Sequence, residues 1–238
     1  MADGIWVGMS GAVARAAQLE AVADNLANAQ TPGFKASHPS FETFLPDGAT
    51  GEAQELAFTG AVSSGVDLRN GATLVTGHPT DVLPAESAFL SVGLPDGSIG
   101  FTRDGRIIAD SEGRLTIGGL PLRGAGAVHL EVPINAKLSF DTAGKVLADG
   151  VEVGQLTLYK LSGPIQRLSA SVVRPTSDAG AVPIEAQIKV GELELSNSSP
   201  LEGAVQMISA QRNFDNSMQA LQTYKRMDDR ANEIGRAK

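Results

Sequence analysis

The sequence predicts an α+β fold, with a β-rich middle flanked by an amphipathic helix at each end, and three observations carry that prediction. From Val7 to Gln30 there is no proline, and eight alanines fall between Ala12 and Ala29, a helix-forming composition. From Thr31 to Gly191 the chain is punctuated by Asp47-Gly48, Asn70-Gly71, Pro95-Asp96-Gly97, Asp104-Gly105 and Asp149-Gly150, which signal turns between short strands. After Pro200 glycine and proline nearly vanish, with Gly203 and Gly235 as the exceptions.

In the first helix Ile5, Met9, Ala12, Ala16, Leu19, Ala23 and Leu26 alternate spacings of four and three, a heptad seam whose small residues admit a close neighbour. The run from Asn28 stops it, and Thr31-Pro32-Gly33-Phe34 places proline and glycine at the central positions of a type II turn. Residues 34–75 carry little pattern and are expected to form an extended connection. From Phe89 to Leu122, and again through Leu138–Leu147, Gly154–Tyr159 and Ile184–Val190, alternation between turn signals predicts hairpins. The second helix opens at Ser199-Pro200-Leu201-Glu202, with Ser199 placed to cap, Pro200 at the first helical position and Glu202 closing a capping box. Leu201, Val205, Ile208, Phe214, Met218 and Leu221 form its apolar stripe, which Gln211 and Arg212 interrupt. The expected organisation is therefore 1–33 and 196–238 as an inner helical domain, 34–75 as a connection and 76–195 as a β-rich outer domain.

Composition narrows the function. Nineteen Lys and Arg against 27 Asp and Glu give a net charge of −8, the wrong sign for a nucleic-acid partner. The absence of cysteine excludes disulfides, thiolate metal sites and cysteine nucleophiles. His38, His78 and His129 are widely spaced, and there is no His-x-x-x-His or Gly-x-Ser-x-Gly motif. The glycines around Gly118-Gly119 and Gly124-Ala-Gly126 lack a P-loop lysine and read as turns. Asp81, Asp104 and Asp110 read as turn residues beside glycines or strand ends. We therefore expect no catalytic, cofactor-binding or metal site. No apolar run approaches the ~20 residues that cross a bilayer, so membrane insertion is not expected. The N-terminus shows neither the basic region nor the apolar core of a cleaved signal, which on ordinary grounds suggests the cytoplasm. Isolated helices are marginal in water, so each terminal helix needs a partner: the other terminus, or the same helices of neighbouring subunits.

The segments Ile5-Trp-Val-Gly-Met-Ser-Gly-Ala12 and Leu19-Glu-Ala-Val-Ala-Asp-Asn-Leu-Ala-Asn-Ala-Gln-Thr-Pro-Gly-Phe-Lys35 resemble the N-terminal signature of bacterial flagellar rod and hook proteins. Gly191-Glu-Leu-Glu-Leu-Ser-Asn-Ser-Ser-Pro-Leu-Glu202, Gln211-Arg-Asn-Phe214 and Leu221-Gln-Thr resemble the closing motif of that family. Thr76–Val82, Phe101-Thr-Arg-Asp-Gly105, Asp110–Leu115 and Gly119–Gly124 resemble its internal motifs, in order. Ala85-Glu-Ser-Ala-Phe-Leu90 departs where relatives carry glycines, which puts the local hairpin in question. Within the family, Met9-Ser-Gly-Ala12 and the modest length resemble the proximal-rod subunits more than distal-rod or hook subunits.

The resemblance implies a structural, non-enzymatic subunit of the basal-body rod that polymerises through its terminal helices. Its implied partners are further copies of itself, neighbouring rod subunits and the flagellar type III export apparatus, with final location in the periplasmic rod and no cleaved signal. The contrasting expectation is a β-rich enzyme or binding module whose helices merely clasp the domain; it calls for a deep pocket with converging polar groups.

Overall fold

The computed structural model describes residues 2–44 and 58–236, and it is α+β. The turn signal at Asp47-Gly48 lies outside the described residues. The chain forms two compact units, one of 1–27, 37–65 and 200–238, the other of 28–36 and 66–199.

The first unit holds both helices, α1 (Ala2–Ala27) and α2 (Pro200–Arg236). They pair antiparallel: Gly8 lies against Leu221 at one end of the contact and Gly203 against Leu26 at the other. Where an expected connection begins, the structure instead has two strands, Ser37–Phe44 and Phe58–Val66, paired in a two-stranded sheet. Their sequences hide this, because Pro39 and the glycines and serines of the second strand break the alternation that marks a strand. Strand Ser37–Phe44 packs on α1. There the buried Asn25 side chain acts as a backbone surrogate, donating from Nδ2 to Ser37 O and accepting from Ser37 N at Oδ1, both at 2.9 Å.

The second unit is built around strand Ala88–Gly93, all six residues of which are buried. It pairs antiparallel with Ile99–Thr102 along one edge; the other edge is shared by Leu158–Leu161 and Leu120–Arg123. These strands are the centre of a nine-stranded sheet. Alternation along Ala88–Gly93 then sorts two cores. Ala88, Leu90 and Val92 face the main one with Leu115, Leu122, Val146 and Leu158, while Phe89 joins a smaller cluster with Phe101, Leu161 and Val173. A three-stranded sheet, Leu138–Phe140, Lys145–Ala148 and Val151–Gln155, adds Leu138, Phe140, Val146 and Ala148 to the main core.

Several hairpins form at the turns expected. Asp149-Gly150 closes one with both residues at positive φ, 50° and 83°, and Gly118-Gly119 closes another at 57° and 82°. Gly97, at φ 82°, serves the Pro95-Asp96-Gly97 turn. Asp104-Gly105 is not a hairpin turn: a Cβ on Gly105 would meet Val82 O at 1.6 Å, so this glycine exists for close backbone approach.

The departure at Ala85–Leu90 has a conformational cost. Ser87 occupies the left-handed region at φ 61° in the turn that Ala88 N–H closes onto Ala85 O. A non-glycine residue there is strained by about 1–2 kcal/mol. Ser87→Gly is expected to relieve that strain and, after the added entropy of the unfolded chain, to stabilise the protein by about 0.5 kcal/mol. A urea titration reads the change, and a lowered midpoint would show that the serine side chain contributes more than its backbone costs.

Candidate assembly interface

Among the described side chains of α2, those withdrawn from solvent are Gly203, Met207, Ala210, Phe214, Ser217 and Leu221, again spaced by fours and threes. This inner seam shares Phe214 and Leu221 with the stripe read in the sequence and is offset from it near the start of α2. Leu201, Val205 and Ile208 are 78%, 59% and 56% exposed, and Met218, Tyr224 and Met227 are exposed with them. The offset follows from size. Glycine at 203 and alanine at 210 let α1 approach closely, with Leu26 of α1 lying over Gly203, whereas the larger Leu201, Val205 and Ile208 lie off that line.

On α1, Ala12 is buried and Leu19, Ala23 and Leu26 are half-buried, while Met9 and Ala16 are exposed; the side chain of Ile5 lies outside the described residues. The structure thus brings together Leu26 with the start of α2 and Leu221 with the start of α1, and leaves Leu201, Val205 and Ile208 facing solvent. Ser199 directly precedes the first helical residue, Pro200, and Glu202 stands in the first turn.

The turn after α1 takes the geometry its residues dictate. Phe34 N–H closes onto Thr31 O at 3.3 Å, Gly33 has φ 70°, and Gly33 N–H donates to Glu194 O at 2.8 Å. Gly33 is also packed tightly, since a Cβ on it would meet Asp104 N at 2.1 Å. Beside it Phe34 is fully buried, with the Arg167 guanidinium 4.3 Å from its ring centroid and donating to Lys35 O.

The strongest polar feature was not read from the sequence. Lys35, Arg103 and Glu194 form an ion cluster with side chains about 2% exposed. Lys35 Nζ donates to Glu194 Oε1 at 2.6 Å and to Arg69 O at 2.7 Å. Arg103 Nε donates to Glu194 Oε2 at 2.7 Å, its second terminal nitrogen reaches the same oxygen, and its first reaches Ala85 O and Ala88 O. Gly71 N–H completes the shell of Glu194 at 2.9 Å. Asn197 straps the same place, accepting from Ala36 N–H at 2.6 Å and donating to Asp67 O and Arg69 O. The stretch that follows α1 is thereby bonded to the stretch that precedes α2.

Burial pushes the Glu194 carboxyl up, but the Arg103 charge, the Lys35 hydrogen bond and the Gly71 N–H outweigh it and hold the group below its ordinary range. Lys35 moves down, because loss of hydration outweighs what Glu194 returns. The two differ because Glu194 faces two cations, whereas Lys35 shares its one anion with Arg103.

An open groove of about 800 Å³ runs beside the cluster, lined in part by Asn70, Thr73, Glu86 and Gln187. Arg103 and Glu194 also border it, but they are bonded to each other and present no free charge there. Among the described residues no three His, Asp or Glu side chains gather around a common metal position, and no helix is long and apolar enough to cross a membrane. Asp104 accepts from the Arg106 backbone and guanidinium, Asp110 from the N–H groups of Glu112 and Arg114, and Asp81 from Thr76 Oγ1. All three carboxylates are engaged in local structure.

The helix pair has one seam closed, and Leu201, Val205 and Ile208 lie exposed off that seam. Residues 5–35 match the family model for flagella basal body rod proteins, and 189–234 match the model for the C-terminal region of the flagellar basal body rod FlgEFG proteins. The chain is 31% identical to the flagellar basal-body rod protein FlgF of Salmonella typhimurium and 30% identical to FlgF of Escherichia coli, covering 98% of each pair. It is 27% identical to the flagellar basal-body rod protein FlgG of Buchnera aphidicola from Acyrthosiphon pisum, over 95% of this chain and 97% of that one. The chain belongs to the flagellar basal-body rod protein family and is a structural subunit of the rod, which assembles with other rod subunits in the flagellar basal body.

Two changes test the polar junction. Gly33→Ala adds a backbone clash to turn strain and is expected to cost at least 3 kcal/mol, more than the ~1–3 kcal/mol that strain alone carries; denaturant unfolding measures it, and a loss under 1 kcal/mol would refute the close packing. Glu194→Gln leaves two buried cations without a counter-charge and is expected to cost about 3–5 kcal/mol at neutral pH. Because the folded carboxyl is held below its ordinary value, its contribution is complete above about pH 4.5 and is lost as pH falls through the lowered value. The gap between wild type and variant should therefore narrow in acid, and a gap independent of pH would contradict the ion cluster.

Proposed function

We propose that this chain is a proximal-rod subunit that polymerises by laying its open helical seam against the helices of further copies and of adjoining rod subunits. The observation that carries the reading is the exposure of Leu201, Val205 and Ile208 on a helix whose other seam is already occupied by α1. Three large apolar side chains in consecutive turns of a solvent-facing helix are a surface that a partner covers. Repeated contacts between unlike surfaces build a helical filament when the rotation does not close.

In this reading α1 and α2 supply the inner helical layer, and the unit of 28–36 and 66–199, in place of the 76–195 expected from sequence, forms the outer, β-rich part that stiffens it or meets adjacent subunits. The subunit leaves the cell through the flagellar type III export apparatus without a cleaved signal and takes its place in the periplasmic part of the rod. It turns over no substrate, and its sites are packing surfaces. The similarity to rod proteins FlgF and FlgG over nearly the whole chain supports this assignment.

Two aspartate substitutions separate the open seam from the closed one. Ile208→Asp lies on the open seam, so the free subunit should keep its stability within about 0.5 kcal/mol while rods fail to form. Leu221→Asp places a charge in the α1 contact and should lower the helix content of the free subunit as well, at a cost of several kcal/mol. Circular dichroism of the purified chains and basal-body yield in complemented cells give the two readouts. Normal rods with Ile208→Asp would sink the open-seam proposal.

A further inference from the structure

We propose that the Lys35–Glu194–Arg103 cluster is a pin that makes pairing of α1 with α2 conditional on closure of the β unit. The cluster joins residues 159 and 91 positions apart in sequence. Lys35 lies eight residues beyond the end of α1 and Glu194 six before the start of α2. The pin therefore sits on the segments that lead into both helices, and all three of its members, with the Arg69, Ala85 and Ala88 carbonyls, belong to the β unit. It cannot form from the terminal segments alone, because without Arg103 and those carbonyls Lys35 and Glu194 would be desolvated with half their partners missing.

The consequence for the helices is one of chain statistics. With the β unit open they are joined by a loop of about 170 residues; with it closed and pinned the path between them is about 14, and the three-halves power of that ratio favours pairing roughly 40-fold. Lys35 thus acts as a positioning residue for a contact it does not touch.

The chain lacks cysteine, so Gly8→Cys with Leu221→Cys introduces a single thiol pair at the α1–α2 contact of the full-length protein. Its disulfide equilibrium against glutathione measures the effective concentration of one helix at the other, in the free subunit, so failure here leaves the open-seam proposal standing and the reverse holds too. Lys35→Met keeps Glu194 paired with Arg103; we expect it to loosen the helix roots and lower the effective concentration by more than threefold, with amide protection of Ala88–Gly93 retained. Lys35→Arg should restore it. If Lys35→Met unfolds the β unit, Asn197→Ala loosens the same roots through Ala36 and gives the second reading, with the same threshold. A change under threefold overturns the pin, whether or not the β unit stays folded, since pairing would then proceed without it.

Discussion

One carboxylate organises the junction on which this chain depends. Glu194 is buried, ionised and faced by two cations, and every one of its bonds is to a different part of the sequence: Lys35 after the first helix, Gly71 in the run before the sheet, Arg103 at the end of a central strand. Removing water from three charges is costly, so the arrangement persists only because the geometry leaves almost nothing unsatisfied. Phe34 and Gly33, packed on the same spot, add the apolar and steric parts of the fit.

The helix pair obeys a different rule. Its closed seam is lined on α2 by Gly203 and Ala210, and by Met207, Phe214 and Leu221 between and beyond them, so backbones come close and the larger residues interleave. The residues with most apolar area near the start of α2 are left on another face. A subunit that used Leu201, Val205 and Ile208 to close on itself would have nothing left for a neighbour.

Much of this was legible in the sequence, for physical reasons that vary by element. The helices, the Thr31-Pro32-Gly33 turn, the Asp149-Gly150 hairpin and the helix start at Pro200 follow from local chemistry, which a window of a few residues contains. The pairing of Ser37–Phe44 with Phe58–Val66 was not legible, because neither strand alternates and each is defined by its neighbours. The apolar stripe of α2 names Phe214 and Leu221 on the closed seam but also Leu201, Val205, Ile208 and Met218, which are exposed, because periodicity reports apolarity and does not mark Gly203 and Ala210 as contact positions. Lys35, Arg103 and Glu194 escaped because a salt bridge across 159 residues has no local mark. One signal was available: Glu194 stands between Leu193 and Leu195, and Lys35 follows a buried phenylalanine, so each is a charge set in apolar surroundings.

Apart from Met1, every methionine of the chain, at positions 9, 207, 218 and 227, lies on one of the two helices, and Met9, Met218 and Met227 are exposed. Thioether side chains are unbranched and polarizable, and they fill irregular gaps with little penalty for changing rotamer. As a rod subunit, the chain assembles with other rod subunits. Where branched residues would commit that surface to a single mate, methionine gives it tolerance, so that one sequence can seat against several shapes without a separate interface for each.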